Sequence, residues 1–148
     1  LTRRLRKNVV LVHAEMSVYL CHHLLVDTAS FQVGKQQAET GSQLLSVRQF
    51  RKIGAQGVLD ELIPADKNYY VTIDIDGFDP SIAPGTGTPS HGGFLYYEVL
   101  EFLAGLAEHG NVKGMDLVEV SPPHDPAGVT SILAAQILMN AVGRIFYK

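Results

Sequence analysis

Short apolar runs alternate with longer amphipathic segments along this chain, which predicts strands that alternate with helices. The clearest strand is 69–73, because its aromatic and β-branched residues are typical of a buried strand. The clearest helices are 96–108 and 130–146, because their apolar residues recur at helical spacing. The full prediction places strands at 8–14, 31–34, 43–46, 69–73 and 112–120, and helical segments at 15–26, 47–53, 55–63, 96–108 and 130–146. This order predicts an α/β fold with three layers, α/β/α, and a mostly parallel sheet.

Two carboxylates, Asp74 and Asp76, stand where the predicted central strand ends. Residues two apart on a strand share a face, so we expect both side chains to project side by side. Adjacent buried carboxylates repel each other and are costly to desolvate, and a bound Mg²⁺, Mn²⁺ or Ca²⁺ ion removes both penalties. The same pair could instead cap the following turn, because Asp-Gly and Asp-Pro dipeptides follow there. An EF-hand is excluded, because Phe78 occupies a ligand position of that loop.

A second pair of carboxylates lies in the last predicted strand, at Asp116 and Glu119. A carboxylate within an apolar strand is expensive to bury unless it has a partner. Glu119 stands where Ser-Pro-Pro stops the strand, so a parallel sheet brings it to the same edge as Asp74 and Asp76. We therefore interpret Glu119 as a site residue, and Asp116 as the partner of a backbone or arginine group.

Composition adds bounds on the class of protein. The chain has 148 residues, a net charge of −3 and a single cysteine, Cys21. This predicts one α/β domain over 1–148, with no nucleic-acid partner and no internal disulfide. No apolar run approaches the roughly 20 residues of a membrane span, and the basic start is a poor signal peptide. We expect a cytoplasmic protein without a membrane partner.

Two long segments resemble one family. IDIDGFDPSIAPGTGTPSHGG and MDLVEVSPPHDPAG are similar to signatures of the ureohydrolases, which include arginase and agmatinase, and the segment APGTGTP is closest to the agmatinase branch. The resemblance implies that Asp74 and Asp76 bind a two-manganese cluster and that Glu119 holds a guanidinium group. It places Thr86 near the substrate pocket, although hydrogen bonds within the turn are an alternative for that hydroxyl. The implied reaction hydrolyses an agmatine-like guanidino compound to urea and an amine, in a homo-oligomer (trimer or hexamer).

The resemblance covers roughly the second half of the family fold, and the Gly-Gly-Asp-His segment of the first half does not occur in this sequence. His13 and Glu15 stand where the family carries another ligand segment, and they depart from its pattern. No catalytic acid or base can be assigned. The alternative is therefore a truncated, non-catalytic ureohydrolase-like chain with a structural or interaction role. A third hypothesis is a module in which Asp74 and Asp76 bind a single Mg²⁺ or Ca²⁺ ion.

Overall fold

The computed structural model describes residues 8–12, 23–27 and 43–147. Five strands form one sheet, and each pairs in parallel with its neighbours. The strands are β1 (Asn8–Val12), β2 (His23–Asp27), β3 (Gln43–Ser46), β4 (Asn68–Asp74) and β5 (Asn111–Val118). Their order across the sheet is β3-β2-β1-β4-β5. The predicted parallel α/β fold is therefore confirmed.

Three helices belong to the described residues: α1 (Val47–Leu62), α2 (Tyr96–His109) and α3 (Val129–Phe146). A capping box begins α1, in which the Ser46 hydroxyl accepts the N–H of Gln49 at 3.2 Å. The Gln49 side chain in turn accepts the N–H of Ser46 at 3.0 Å. The α2 helix begins in a related way, because the Glu98 carboxylate accepts the N–H of Leu95 at 2.7 Å. These bonds satisfy N–H groups that a helix start would otherwise leave unpaired.

All three helices cover one face of the sheet, because α1 packs on α2 and α2 packs on α3. Their apolar sides and β4 share one core, whose fully buried members include Val58, Leu59, Val71, Ile73, Leu106 and Ile137. The second helical layer of a three-layer fold belongs on the opposite face. The connections from β1 to β2 and from β2 to β3 lie outside the described residues.

The order in which strands join the sheet changes side between β1 and β4, although the two strands are parallel. From β1 the chain proceeds through β2 to β3 at one side, whereas β4 is followed by β5 at the other side. In open parallel sheets, a crevice opens at this switch point, beyond the carboxyl ends of the two strands. The register pairs Val12, the last residue of β1, with Ile73. The end of β4, where Asp74 stands, therefore borders this crevice.

Several predicted elements need correction. Residues 23–26, predicted as the end of a helix, belong to strand β2. The predicted division between helical segments 47–53 and 55–63 is confirmed, because α1 is interrupted at Gly54, whose φ of 74° and ψ of 167° are not helical. The last strand ends at Val118, not at residue 120. The predicted helix over 15–22 and the predicted strand over 31–34 lie outside the described residues.

The α3 helix is the one helix among the described residues that is long and apolar enough to cross a membrane. Its 18 residues have a mean hydropathy of 1.5, and 28% of them are buried. Length and composition alone are weak evidence, since the core helix of a soluble protein passes the same test. Large apolar side chains on its outer side are exposed, including Ile132, Met139 and Phe146.

Candidate metal and substrate site

The carboxylates of Asp74 and Asp76 lie at the end of β4, and both are buried, with exposed fractions of 5% and 1%. Asp74 is the last strand residue, whereas Asp76 lies in the 3-10 turn Ile75–Gly77. The prediction that strand alternation aligns the two side chains was therefore wrong, since the turn sets the position of Asp76. The N–H of Asp76 donates to Asp74 Oδ1 at 3.2 Å. Asp74 therefore caps the following turn, which is one of the two roles that the sequence allowed for this pair. Capping does not exclude ligation, because a carboxylate has about four acceptor sites.

A hydroxyl reaches the more deeply buried of these carboxylates. Thr88 Oγ1 donates to Asp76 Oδ2 at 2.9 Å. A donor of this kind favours the charged form of a carboxylate and fixes its orientation. Sequence reasoning could not find this hydrogen bond, because nothing local connects residues that are 12 positions apart.

Thr86 is buried, with an exposed fraction of 3%. Its N–H donates to the carbonyl of Pro84 at 3.0 Å. Its hydroxyl is buried and has no hydrogen-bond partner among residues 8–12, 23–27 and 43–147. Within these ranges, the hydroxyl therefore makes no hydrogen bond in the turn, contrary to the alternative interpretation. A buried hydroxyl of this kind is costly unless something outside them pairs with it.

Residues 75–95, here called the Asp loop, connect β4 to α2 and are braced internally. Asp79 Oδ1 accepts the N–H of Ser81 at 3.0 Å, and Oδ2 accepts the N–H of Gly92 at 2.9 Å. Hydrogen bonds hold the pKa of Asp79 below its ordinary value, and the largest contribution comes from the side chain of Ser81. The N–H groups of Ser81 and Gly92 lower this pKa further. Farther along, Phe94 donates its N–H to the carbonyl of Gly77 at 2.8 Å. The loop therefore closes on the turn that carries Asp76.

Glu119 is the first residue after β5, and the register pairs Val118 with Asp74. Glu119 is thus at the same sheet edge as Asp74, one position beyond its register partner. The backbone of Glu119 has a φ of 68°, which is unusual for a residue with a side chain. Its side chain is exposed, so the sequence argument that it is a buried strand carboxylate was wrong, although its predicted edge is confirmed.

Asp116 has a different partner from the one predicted. The Tyr70 hydroxyl donates to Asp116 Oδ2 at 2.9 Å, in place of a backbone or arginine group. This hydrogen bond and the nearby negative charge raise the pKa of Tyr70. The second oxygen, Oδ1, is buried and has no partner among the described residues. Asp116 therefore belongs to the strand pair β4–β5 and not to the edge that carries Glu119.

Residues 119–128, here called the Glu loop, connect β5 to α3 and are bonded to the Asp loop at Gly85. The N–H of Ser121 donates to the Gly85 carbonyl at 2.7 Å, and the Gly85 N–H donates to Thr130 Oγ1 at 2.8 Å. Asp125 Oδ2 accepts the N–H of Thr130 at 2.6 Å, and this bond is the main reason that the pKa of Asp125 is lowered. Asp125 thus stabilises the turn that precedes α3. Sequence reasoning missed Thr130, whose partner is 45 positions away.

The described residues do not contain the full ligand set of a metal site. They contain no group of three or more histidine, cysteine or carboxylate side chains able to hold an ion. The paired oxygens of Asp74 and Asp76 are the hard ligands that Mn²⁺ or Mg²⁺ accepts, but two carboxylates do not complete a two-ion set. His13 and Glu15, which stand where the family carries another ligand segment, lie outside the described residues.

Paired carboxylates at the switch point of a parallel α/β sheet, with a third carboxylate on the same edge, lie where open α/β folds bind their ligands. A sequence model of the arginase family matches residues 12–143, and the chain belongs to that family. Among curated proteins it is 41% identical over 99 residues to proclavaminate amidinohydrolase of Streptomyces clavuligerus, covering 66% of this chain and 31% of that protein. It is 48% identical over 83 residues to agmatinase of Halalkalibacterium halodurans, covering 54% and 29%.

The solved structures agree with the sequence comparison. The crystal structure of the Streptomyces clavuligerus proclavaminate amidinohydrolase superimposes with a TM-score of 0.73 and 32% identity, over 83% of this chain and 42% of that one. The recognised family and the arginase/agmatinase fold class are therefore confirmed. The chain spans about a third of the length of the two curated relatives, as the predicted partial coverage requires.

Proposed function

We propose that this chain takes part in the manganese-dependent hydrolysis of an agmatine-like guanidino compound to urea and an amine. Asp74 and Asp76 hold the metal, and Glu119 and Thr86 bind the substrate. The observation that carries the proposal is the pair of buried carboxylates at the switch point of the sheet, with Glu119 directly after Val118, the register partner of Asp74.

Each residue has a chemical reason for its role. The exposed carboxylate of Glu119 can accept two parallel hydrogen bonds from the planar guanidinium fork. The hydroxyl of Thr86, which has no partner among the described residues, supplies a further polar contact two residues from Thr88, which orients Asp76. Bound manganese would supply a water that is acidic enough to react near neutral pH. Water adds to the guanidinium carbon, the C–N bond to the alkyl group breaks, and the amine leaves with a proton.

Urea release tests this proposal. We expect the purified chain, preincubated with Mn²⁺, to release urea from agmatine or guanidinobutyrate, and Glu119→Gln to reduce that rate at least tenfold by removing the charge that holds the guanidinium group. Glu119→Gln keeps the side-chain length, and its Mn²⁺ affinity should equal that of the wild type. Absence of urea from a folded, manganese-loaded chain would contradict catalysis by this chain.

The second candidate is a non-catalytic ureohydrolase-like chain with a structural or interaction role. Two observations favour it: the described residues hold no group of three metal-ligating side chains, and the chain spans only about a third of its curated relatives. Under this alternative, neither substrate is hydrolysed at any Mn²⁺ concentration. Mn²⁺ binding without urea release would then show that the carboxylates bind metal in a catalytically incomplete site.

We further propose that the protein is cytoplasmic and forms a homo-oligomer, a trimer or hexamer, without nucleic acid or membrane as a partner. Support comes from the resemblance of the sequence to the family and from the balanced charge. Sedimentation velocity measures the assembly directly, and a monomer at micromolar concentration would contradict it.

A further inference from the structure

We propose that Thr130 is a positioning residue, which fixes the substrate-binding Glu119 relative to the metal carboxylates Asp74 and Asp76 through Gly85. The inference rests on the proposed function, because it assigns to Thr130 the alignment of the two halves of that site. Thr130 does not itself contact substrate or metal in this account. It acts through the hydrogen bonds that connect the Asp loop to the Glu loop.

The connection is short and buried. Thr130 has an exposed fraction of 1%, and its hydroxyl oxygen accepts the N–H of Gly85 at 2.8 Å. The carbonyl of Gly85 accepts the N–H of Ser121 at 2.7 Å, so both polar groups of Gly85 are bonded across the two loops. Thr88, three residues beyond Gly85, donates to Asp76. These hydrogen bonds, together with the backbone from Gly85 to Thr88, therefore connect the start of α3 to Asp76 and to the Glu loop.

Thr130 is itself held firmly. Its N–H donates to the buried carboxylate of Asp125 at 2.6 Å, and its position at the start of α3 fixes its backbone. A helix end that is anchored in this way is a rigid reference point for a loop. The hydroxyl thus transmits the position of α3 to Gly85.

The close fit at Gly85 supports the same conclusion. A Cβ atom added to Gly85 would lie 2.7 Å from the Cβ of Asp125 and 2.9 Å from the hydroxyl oxygen of Thr130. These distances are too short for any side chain, so the two loops approach each other at a point where only glycine fits. The approach is therefore specific to the pairing and not a loose contact between surface loops.

Glu119 needs such a constraint because its backbone is in the left-handed region, with φ at 68°. That conformation is unfavourable for a residue with a Cβ atom unless its surroundings hold it. Ser121, two residues later, is bonded to Gly85 and so fixes the turn that follows Glu119. If Gly85 is released, we expect the Glu loop to sample other conformations while β4 still holds Asp74.

The test compares Thr130→Val with Thr130→Ser. Valine has the shape of threonine without the acceptor, whereas serine keeps the acceptor and loses only the methyl group. In Thr130→Val we expect the amide hydrogens of Gly85 and Ser121 to exchange at least tenfold faster in NMR. We expect agmatine affinity of the manganese-loaded chain to fall about tenfold, as for a buried N–H left unpaired, with Mn²⁺ affinity within twofold of the wild type. Thr130→Ser should match the wild type in amide exchange at both positions and in agmatine affinity.

Three outcomes would overturn the inference: unchanged amide exchange in Thr130→Val, equal losses of Mn²⁺ and agmatine affinity, or no rescue by serine. If Thr130→Val does not fold, the wild type and Thr130→Ser still decide. Both must then protect the amides of Gly85 and Ser121 as strongly as those of β5, and rapid exchange at Gly85 in the wild type contradicts the connection. A wild-type chain that binds no Mn²⁺ or agmatine refutes the proposed function, and the amide exchange alone then decides the connection.

Discussion

The backbone of Glu119 is in a conformation that is unfavourable for a residue with a side chain, at a position where we propose a binding role. Its left-handed backbone is a conformation that asparagine adopts more readily than glutamate. Its exposed side chain forms no part of the core. We therefore propose that this residue serves to bind a ligand through its carboxylate and contributes little to folding.

This explanation predicts that Glu119→Asn stabilises the protein. We expect the free energy of unfolding to rise by about 1 kcal/mol, because the left-handed backbone is less strained with asparagine. Glu119→Gln is the matched control, since it removes the same charge and keeps the backbone preference of glutamate. Urea denaturation of the three proteins checks the prediction, and equal stabilities of the asparagine and glutamine variants would contradict it.

Asp125 gives stability a dependence on pH. Hydrogen bonds, chiefly from the N–H of Thr130, hold its pKa in the folded chain below its ordinary value. A carboxyl group with a depressed pKa stabilises the fold above its unfolded pKa, and this contribution is lost as the pH falls through the folded pKa. Asp125→Asn should thus be less stable than the wild type at pH 6 to 7, and the difference should shrink as the pH falls below about 4, toward the lower folded pKa of Asp125. A difference that is constant over this range in thermal melts would refute the account.

Residue type and position were sufficient to find Asp74, Asp76 and Glu119 as candidates, because carboxylates in or directly after an apolar segment are conspicuous. The residues that hold them were not found in this way. Thr88 and Thr130 have ordinary hydroxyl side chains, and their bonds join positions 12 and 45 residues apart. Only the folded arrangement of the loops brings those partners together.

At the scale of elements, the Asp loop depends on one close backbone approach. A Cβ atom on Gly93 would lie 2.5 Å from the carbonyl carbon of Phe78 and 2.6 Å from the nitrogen of Asp79. Phe78 and Phe94 form an isolated parallel bridge at this point. Backbone atoms cannot move aside as a flexible side chain can, so the loop must shift to admit any side chain.

Gly93→Ala should therefore reduce the free energy of unfolding by about 1–3 kcal/mol, as overpacking does elsewhere. Gly87→Ala, in the same loop, is the matched control, because a Cβ atom there would meet nothing within 4 Å. Its effect should stay within about 0.5 kcal/mol. Chemical denaturation of both variants measures the contrast, which is absent if the approach at Gly93 does not constrain the loop.

The elements also show where pattern reasoning reached its limit. β4, α2 and α3 were predicted nearly to the residue, because each has a long and consistent pattern. β2 was taken as the end of a helix, since periodicity cannot distinguish a short apolar run in a strand from one in a helix. Its neighbours decide the matter, because β2 pairs with both β1 and β3.

For the whole molecule, the order of the strands explains why the candidate residues meet. Successive strands are added on one side of β1 and then on the other side, beginning with β4. Because all the strands are parallel, Asp74 and Glu119 come to one edge of the sheet. The sequence predicted the shared edge from strand direction alone. It could not predict the strand order, because the order depends on which strands pair over long sequence separations.

The most direct test of the central claim is the affinity of the chain for Mn²⁺, measured by electron paramagnetic resonance for the wild type and Asp76→Asn. We predict that the wild type binds Mn²⁺ and that Asp76→Asn binds it at least tenfold more weakly, because a charged oxygen ligand is lost. Asp60→Asn is the matched control, since Asp60 is exposed on α1 and bonded to Gln56. Equal Mn²⁺ affinity of the wild type and Asp76→Asn would contradict the assignment of this edge of the sheet as the metal site.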